Sequence, residues 1–283
     1  MSIVFTEKDH SYKSLSKNDF IDWISVTTLT SYFKKPFDTK KVAQKVSKRK
    51  SSKWYGMTPK KIQEVWKKES ERAMALGTFY HNQREDDLCS LASIERNGTT
   101  VPIFSPIVKD QGIKIAPKQK LDPGVYPEHM VYLKSAGICG QSDLVEVVEG
   151  KVSIIDYKTN KEIKMQSYVD WEGVSQKMLF PVSHLDDCNF NHYALQLSIY
   201  MYIILKHNPK LRPGPMYIHH VQFEEEGKDE HGYPITKYQD NGDPIVRDPV
   251  LKDLIQIPVP YLKDEVISLI HYLHDNRKKL KKK

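Results

Sequence analysis

GQSDLVEVVEGKVSIIDYKTNK, residues 140–161, decides how this chain is read. Two runs rich in β-branched residues flank Glu149-Gly150, a breaker short enough for a two-residue hairpin loop. In that register Val148 pairs with Lys151, which sets Asp143 directly opposite Asp156. Opposed side chains lie ~5 Å apart on one face, and two carboxylates so placed repel one another unless something positive sits between them. A three-residue loop with a glycine bulge would shift the pairing by one residue and leave the acids neighbours. Because side chains alternate along a strand, Val152, Ile154, Asp156 and Lys158 share a face, and apolar core gives way to an acid and a base at the strand end. Hard oxygen donors at this spacing favour Mg2+ or Mn2+, and a lysine two residues on can orient or deprotonate an attacking water. The plainer alternative is a surface hairpin in which Asp156 and Lys158 form a salt bridge.

Outward from the hairpin, HMVYLKSAGICG supplies one more strand, so residues 129–159 read as three antiparallel strands in a meander. YALQLSIYMYIIL (193–205) reads as a buried helix: it is shorter than the ~20 residues of a membrane span and carries Gln196. MYIHHVQF (216–223) resembles one further strand, and a last helix is expected over 261–277. Upstream, Ser25 or Thr27 caps a helix, Pro36 breaks it, and a basic helix follows. Residues 59–92 are again helical, with Gly77 an interruption one turn before His81. The proline-rich stretch 97–127 reads as short strands and loops, 160–192 as irregular, and 224–250 as an exposed loop with Asn241-Gly242 as a hairpin turn. The expected architecture is α/β, a central mixed β-sheet with an antiparallel meander flanked by helices. One domain over 1–283 would hold a helical N-terminal region (1–70), a catalytic core (71–225) and a loop, C-terminal helix and basic tail (226–283).

The composition is that of an ordinary globular protein, with 39% hydrophobic and 28% charged residues, and argues against wholesale disorder. Lys and Arg outnumber Asp and Glu by 43 to 36. The surplus clusters in KKVAQKVSKRKSSK (40–53) and RKKLKKK (277–283), which are handles for phosphate or, more plainly, a solvated helix face and a tail. Cys89, Cys139 and Cys188 have no CxxC spacing, so they read as reduced structural residues and not as a zinc site. The first residues turn acidic and polar before an apolar stretch forms, so no secretion signal is expected and the location is read as intracellular, with no membrane partner. No GxxxxGK[ST] motif occurs, so no ATP is expected and any unwinding must come from a partner.

Gly140 with Asp143, a short hairpin, then Asp156 with Lys158 resembles the core of the PD-(D/E)XK nuclease superfamily. Gly77-Thr78-Phe79-Tyr80-His81 with Glu85 resembles the helical histidine motif of its RecB-like branch, Gln196 and Tyr200 resemble that branch's QxxxY motif, and Pro127-Glu128 is similar to the Pro-Glu that often precedes the core. The order of these motifs over residues 77–200 is the order the branch uses. The resemblance implies a restriction-endonuclease-like core with Asp143, Asp156 and Lys158 as catalytic residues. One or two Mg2+ or Mn2+ ions would be held by His81, Asp143, Asp156 and the carbonyl of Tyr157. Glu85 would bind a second ion through water or orient His81, while Gln196, Tyr200 and Glu128 would contact the DNA backbone or support the site, the first two by bracing Lys158. Several RecB-like nucleases hold an iron-sulfur cluster through four cysteines; with three here, no cluster is expected. The layout is similar to compact mitochondrial genome-maintenance exonucleases and small phage nucleases, which makes a cytoplasmic, phage-encoded DNA repair or recombination enzyme one candidate. The expected activity is an exonuclease on single-stranded DNA ends, with a helicase or recombination protein as candidate partner. A structure- or sequence-specific endonuclease and a catalytically silent nucleic-acid-binding module are the alternatives.

Overall fold

The computed structural model of the chain describes residues 3–6, 11–14, 21–109, 113–170, 172–241 and 247–280. Its central mixed sheet is built from β1 (Ile24–Ser25), β2 (Gly124–Leu133), β3 (Ile138–Val148), β4 (Lys151–Lys158), β5 (Arg212–Phe223) and β6 (Leu251–Val259). The meander β2-β3-β4 is antiparallel throughout; β5 runs parallel to β4, and β6 closes the far edge antiparallel to β5. Among the described residues five α-helices accompany the sheet: α1 (Val26–Ser31), α2 (Thr39–Lys48), α3 (Pro59–Cys89), α4 (Asn189–His207) and α5 (Lys263–Leu280). This is the mixed α/β arrangement with flanking helices that the hydrophobic patterning predicts.

The β3-β4 turn sets the register of everything near it. Glu149 (φ 50°) and Gly150 (φ 71°) are both left-handed, as a type I′ turn requires, so the loop has two residues and no bulge. Val148 then pairs with Lys151, and the ladder runs to Leu144–Ile155, one pair short of Asp143 and Asp156. A parallel neighbour for β4 needs a long crossover, and α4 supplies it. This helix is apolar almost all round, which a surface helix is not. Its Leu195, Leu197, Ile199, Met201 and Ile203 are fully buried between the sheet residues Val145, Val152, Ile154 and Ile218 and the helices α1 and α5. The opposite face of β4 belongs to α3, whose Tyr80 packs on Tyr157 and Val221.

Residues 224–250, expected as an exposed loop, instead supply the short strands of two hairpins and lead into β6 ahead of the last helix, because β5 needs a partner on its outer edge. Two further elements also depart from the sequence reading. Gly77 does not interrupt α3, which runs unbroken through it. Its missing side chain serves a close approach instead: a Cβ there would lie 3.3 Å from Thr159 Oγ1, just beyond Lys158. Ahead of the helices, Ile3–Thr6 and Ser11–Ser14 join Ile113–Ile115 and Ile107–Lys109 in a four-stranded sheet. Ile3, Phe5 and Ala116 pack that sheet on Met130 and Cys139 of the meander. Of the Asn241-Gly242 turn, Gly242 lies outside the described residues, but the flanking strands Tyr238–Asp240 and Arg247–Pro249 do pair.

Candidate active site

The site forms where the sheet changes partners. Because β2 pairs with β3 along nearly its whole length, β4 and β1 must share the other edge, β4 at Leu144–Val148 and β1 at Ile138–Cys139. Gly140 to Asp143 lie between those two ladders. Across β2 the register sets Glu128 opposite Asp143, yet that pair is missing between Pro127–Leu144 and His129–Ser142, because Glu128 is left-handed with φ 47°. Such a backbone costs a non-glycine residue on the order of 1 kcal/mol or more and persists only where its surroundings impose it. It also inverts the alternation of the strand: Tyr126 and Val131, an odd number apart, both enter the main core, as do Ile138 and Val145 across the way. Glu128 and Asp143 thus meet where regular pairing lapses, and Asp156, one pair past the end of the β3-β4 ladder, interacts with Asp143.

His81 reaches this point from α3. Its Nε2 lies 3.1 Å from the Tyr157 carbonyl, while Nδ1 faces Asp143 Oδ1 at 3.5 Å and Glu128 Oε1 at 3.8 Å. Among the described residues, His81, Glu128 and Asp143 form the one group whose donor atoms all lie within 4.8 Å of one another, a spacing suited to a metal ion. Asp143 Oδ2 accepts the Tyr157 N–H at 2.7 Å, which ties the end of β4 to β3 after the ladder has stopped. Asp156 is 1% exposed, and apart from the Lys158 ammonium 2.5 Å from Oδ2 neither of its oxygens has a hydrogen-bond partner. Buried carboxylates left short of donors are costly, and a hard divalent cation satisfies them. The residues present therefore fit Mg2+ or Mn2+.

The electrostatics agree. Burial raises Asp156 to about 6 against the pull of Lys158, with Asp143 adding to the rise. Asp143 is likewise pushed up by burial, with His81 and Lys158 opposing. Burial resists charging of His81, but Asp143 and Glu128 outweigh it and lift the imidazole to about 9. Lys158 is kept charged by Asp156 and Asp143 despite its burial.

A cavity of about 420 Å³ opens beside this group, walled by Phe5, Tyr12 and Lys114 of the four-stranded sheet and by Gln196 and Tyr200 of α4. Glu85 lines it too, but its carboxylate is gripped by Lys114, whose Nζ lies 3.1 and 3.0 Å from the two oxygens. Gln196 Nε2 donates to Tyr200 Oη at 3.2 Å, and the Tyr200 ring rests on Gly140, where a Cβ would come within 2.7 Å of it. Gly140→Ala should therefore displace Tyr200 and destabilise the fold by about 1–3 kcal/mol, read from denaturant unfolding. The aromatic over Lys158 is Tyr193, 4.9 Å from Nζ to the ring centre, itself fixed by a 2.7 Å hydrogen bond from its hydroxyl to Asn160 Oδ1.

Sequence reasoning passed over Lys114 and Tyr193. Lys114 sits in a three-residue strand with no pattern of its own. Tyr193 stands one helical turn before Gln196, so the spacing Tyr193, Gln196, Tyr200 marks one face of α4 and could have flagged it. The two basic clusters also separate. Lys40, Lys41, Lys45 and Lys48 are exposed on α2, whereas Arg277 is structural: it donates to the carbonyls of Ala136 and Gly137 and holds α5 to the β2-β3 turn. No helix among the described residues is long and apolar enough to cross a membrane.

Compared with known proteins, residues 39–256 match the profile of the PD-(D/E)XK nuclease superfamily. No curated protein and no solved structure matches the chain.

Proposed function

We propose, from the premise that this chain belongs to the PD-(D/E)XK nuclease superfamily, that it degrades single-stranded DNA from its ends. Membership makes it a nuclease that depends on divalent metal ions and binds DNA. The observation that carries the local assignment is the junction of Glu128, Asp143 and Asp156 beside His81 and Lys158, at the strand ends where pairing lapses.

In this reading His81, Asp143 and Asp156 hold the ion, with Glu128 added to the set, and the Tyr157 carbonyl is available to it or to His81. Bound there, a divalent ion supplies a Lewis acid for the scissile phosphate and a water of lowered pKa. Lys158, braced by Tyr193 and Asp156, donates hydrogen bonds to the attacking water and to charge developing on the phosphoryl oxygens. Asp143 positions Tyr157 through its backbone N–H. Glu85 acts through Lys114, and Gln196 with Tyr200 lines the approach, near enough to meet the DNA backbone. The exposed lysines of α2 are a further handle for phosphates.

End-directed action is favoured by the cavity. At about 420 Å³, closed on one side by Phe5 and Tyr12, it falls in the range of ~300–1,000 Å³ that encloses a small ligand. A terminal nucleotide fits such a space better than a duplex passing through. The RecB-like arrangement of His81, Gln196 and Tyr200 supports the same choice, and no iron-sulfur cluster or ATP enters this reading. A helicase or recombination protein is its natural partner. The test is a time course with Mn2+ on 5′-labelled and 3′-labelled single strands beside a covalently closed circle. Shortening of linear strands with the circle intact is expected; nicking of the circle would make the protein an endonuclease, and inertness on all three would end the enzyme reading.

A further inference from the structure

A second cavity, of about 480 Å³, lies on the other side of Glu128 and shares both Glu128 and Lys114 with the first. Phe104, Tyr126, Lys118 and Lys120 also line it. Phe104 is 40% exposed and nevertheless tightly held. Its ring stacks on Tyr126 with centres 4.7 Å apart and planes 18° from parallel. Its backbone N–H donates to the Val125 carbonyl at 2.8 Å. Gly124 makes the room, since a Cβ there would fall 2.4 Å from the ring. Tyr126 is locked in turn, its hydroxyl donating to the Asp122 carbonyl at 2.7 Å and accepting the Asp122 N–H at 3.0 Å. Lys118 and Lys120 stand exposed at the rim.

Phe104 keeps part of a firmly held ring open to solvent beside two lysines, and a partner with a π-face would cover it. Flanking ammonium groups call for a partner that also carries negative charge. Single-stranded nucleic acid has both, and aromatic platforms beside basic residues are how it is held without sequence preference. We propose that Phe104, backed by Tyr126, is a stacking platform for an unpaired base of the DNA strand, with Lys118 and Lys120 on its phosphates. Because the two cavities share Lys114 and Glu128, the stacked base belongs to a nucleotide next to the one at the metal-binding group. The platform rests on the nuclease reading and adds to it a reason for choosing single strands: a base in a duplex is already stacked and paired.

The test is fluorescence anisotropy of the full chain with Ca2+, on a labelled single strand and on the same strand carrying abasic residues at its terminus. Wild-type protein should bind the normal strand on the order of tenfold more tightly than the abasic one. Phe104→Ala should erase that ratio, Phe104→Trp should preserve it, and the double change Lys118→Ala with Lys120→Ala should weaken both strands alike and flatten the salt dependence. An unchanged ratio in a folded Phe104→Ala protein, or a blunt duplex bound as tightly as the single strand, overturns the platform. Cleavage of linear DNA by that same Phe104→Ala protein would leave the nuclease reading standing, whereas inert wild-type protein removes the reading itself.

Discussion

Lys158→Ala is expected to slow DNA cleavage by roughly 10³-fold, within the ~10²–10⁴-fold range lost with a positioned proton-transfer or charge-stabilising group. The size follows from how completely this ammonium is committed. It lies 2.5 Å from Asp156 Oδ2, beneath the Tyr193 ring, at the end of a strand whose preceding residues are core. No other lysine on β4 can replace it, since Lys151 sits at the hairpin end. Removing the ammonium should not weaken metal binding. It lifts a competing cation from Asp156, so Mn2+ affinity by titration calorimetry should hold or rise while single-turnover cleavage collapses. Cleavage within tenfold of wild type would remove Lys158 from the chemistry, and a parallel loss of Mn2+ binding would recast it as a structural residue.

The second large effect is that saturating metal removes a dependence of stability on pH that the metal-free protein shows. In the metal-free protein His81 is raised from 6.5 to about 9, so the folded state holds its proton more tightly than the unfolded chain does. The stabilisation this provides is fully present below pH 6.5 and is lost as pH rises through about 9, at most about 3 kcal/mol at 1.36 kcal/mol per pH unit. Asp156, raised to about 6, is ionised over nearly all of that window, and Asp143, also raised by burial, moves stability in the same direction as His81. An imidazole can ligate an ion only after losing its proton, so binding must expel the proton held against Asp143 and Glu128. Apparent Mn2+ affinity should rise about tenfold per pH unit from 6.5 and level off near 9. The melting temperature should therefore fall across this range in EDTA and stay nearly level across it in saturating Mn2+, because the metal-bound state holds no proton on His81 to lose. A flat affinity profile would show that His81 does not hold the metal.

Local rules carried much of this. Period-two alternation and a two-residue breaker were enough to place Asp143, Asp156 and Lys158, because hairpin pairing is arithmetic on neighbouring residues, and the observed register follows it from Val148–Lys151 to Leu144–Ile155. The apolar run of α4 announced a buried helix for the same reason, since composition alone excludes a solvated face. Gly77 was misread because glycine signals both a helix break and a close approach, and only the partner tells them apart; here the partner is Thr159, far along the chain.

What the amino-acid sequence determined by itself was the acid pair and the lysine, along with the strand that ends in them. Motif resemblance named His81, Glu85, Glu128, Gln196 and Tyr200 as well, and the tertiary structure decided how each of them is held. Glu128 becomes a member through a left-handed backbone inside a strand, a conformation its residue type disfavours and only the surrounding sheet can impose. Lys114 comes to Glu85, and Tyr193 to Lys158, across long stretches of chain. No periodicity reaches that far: contacts between distant segments are fixed by packing of the whole core, whereas hairpin registers are fixed by the turn that makes them.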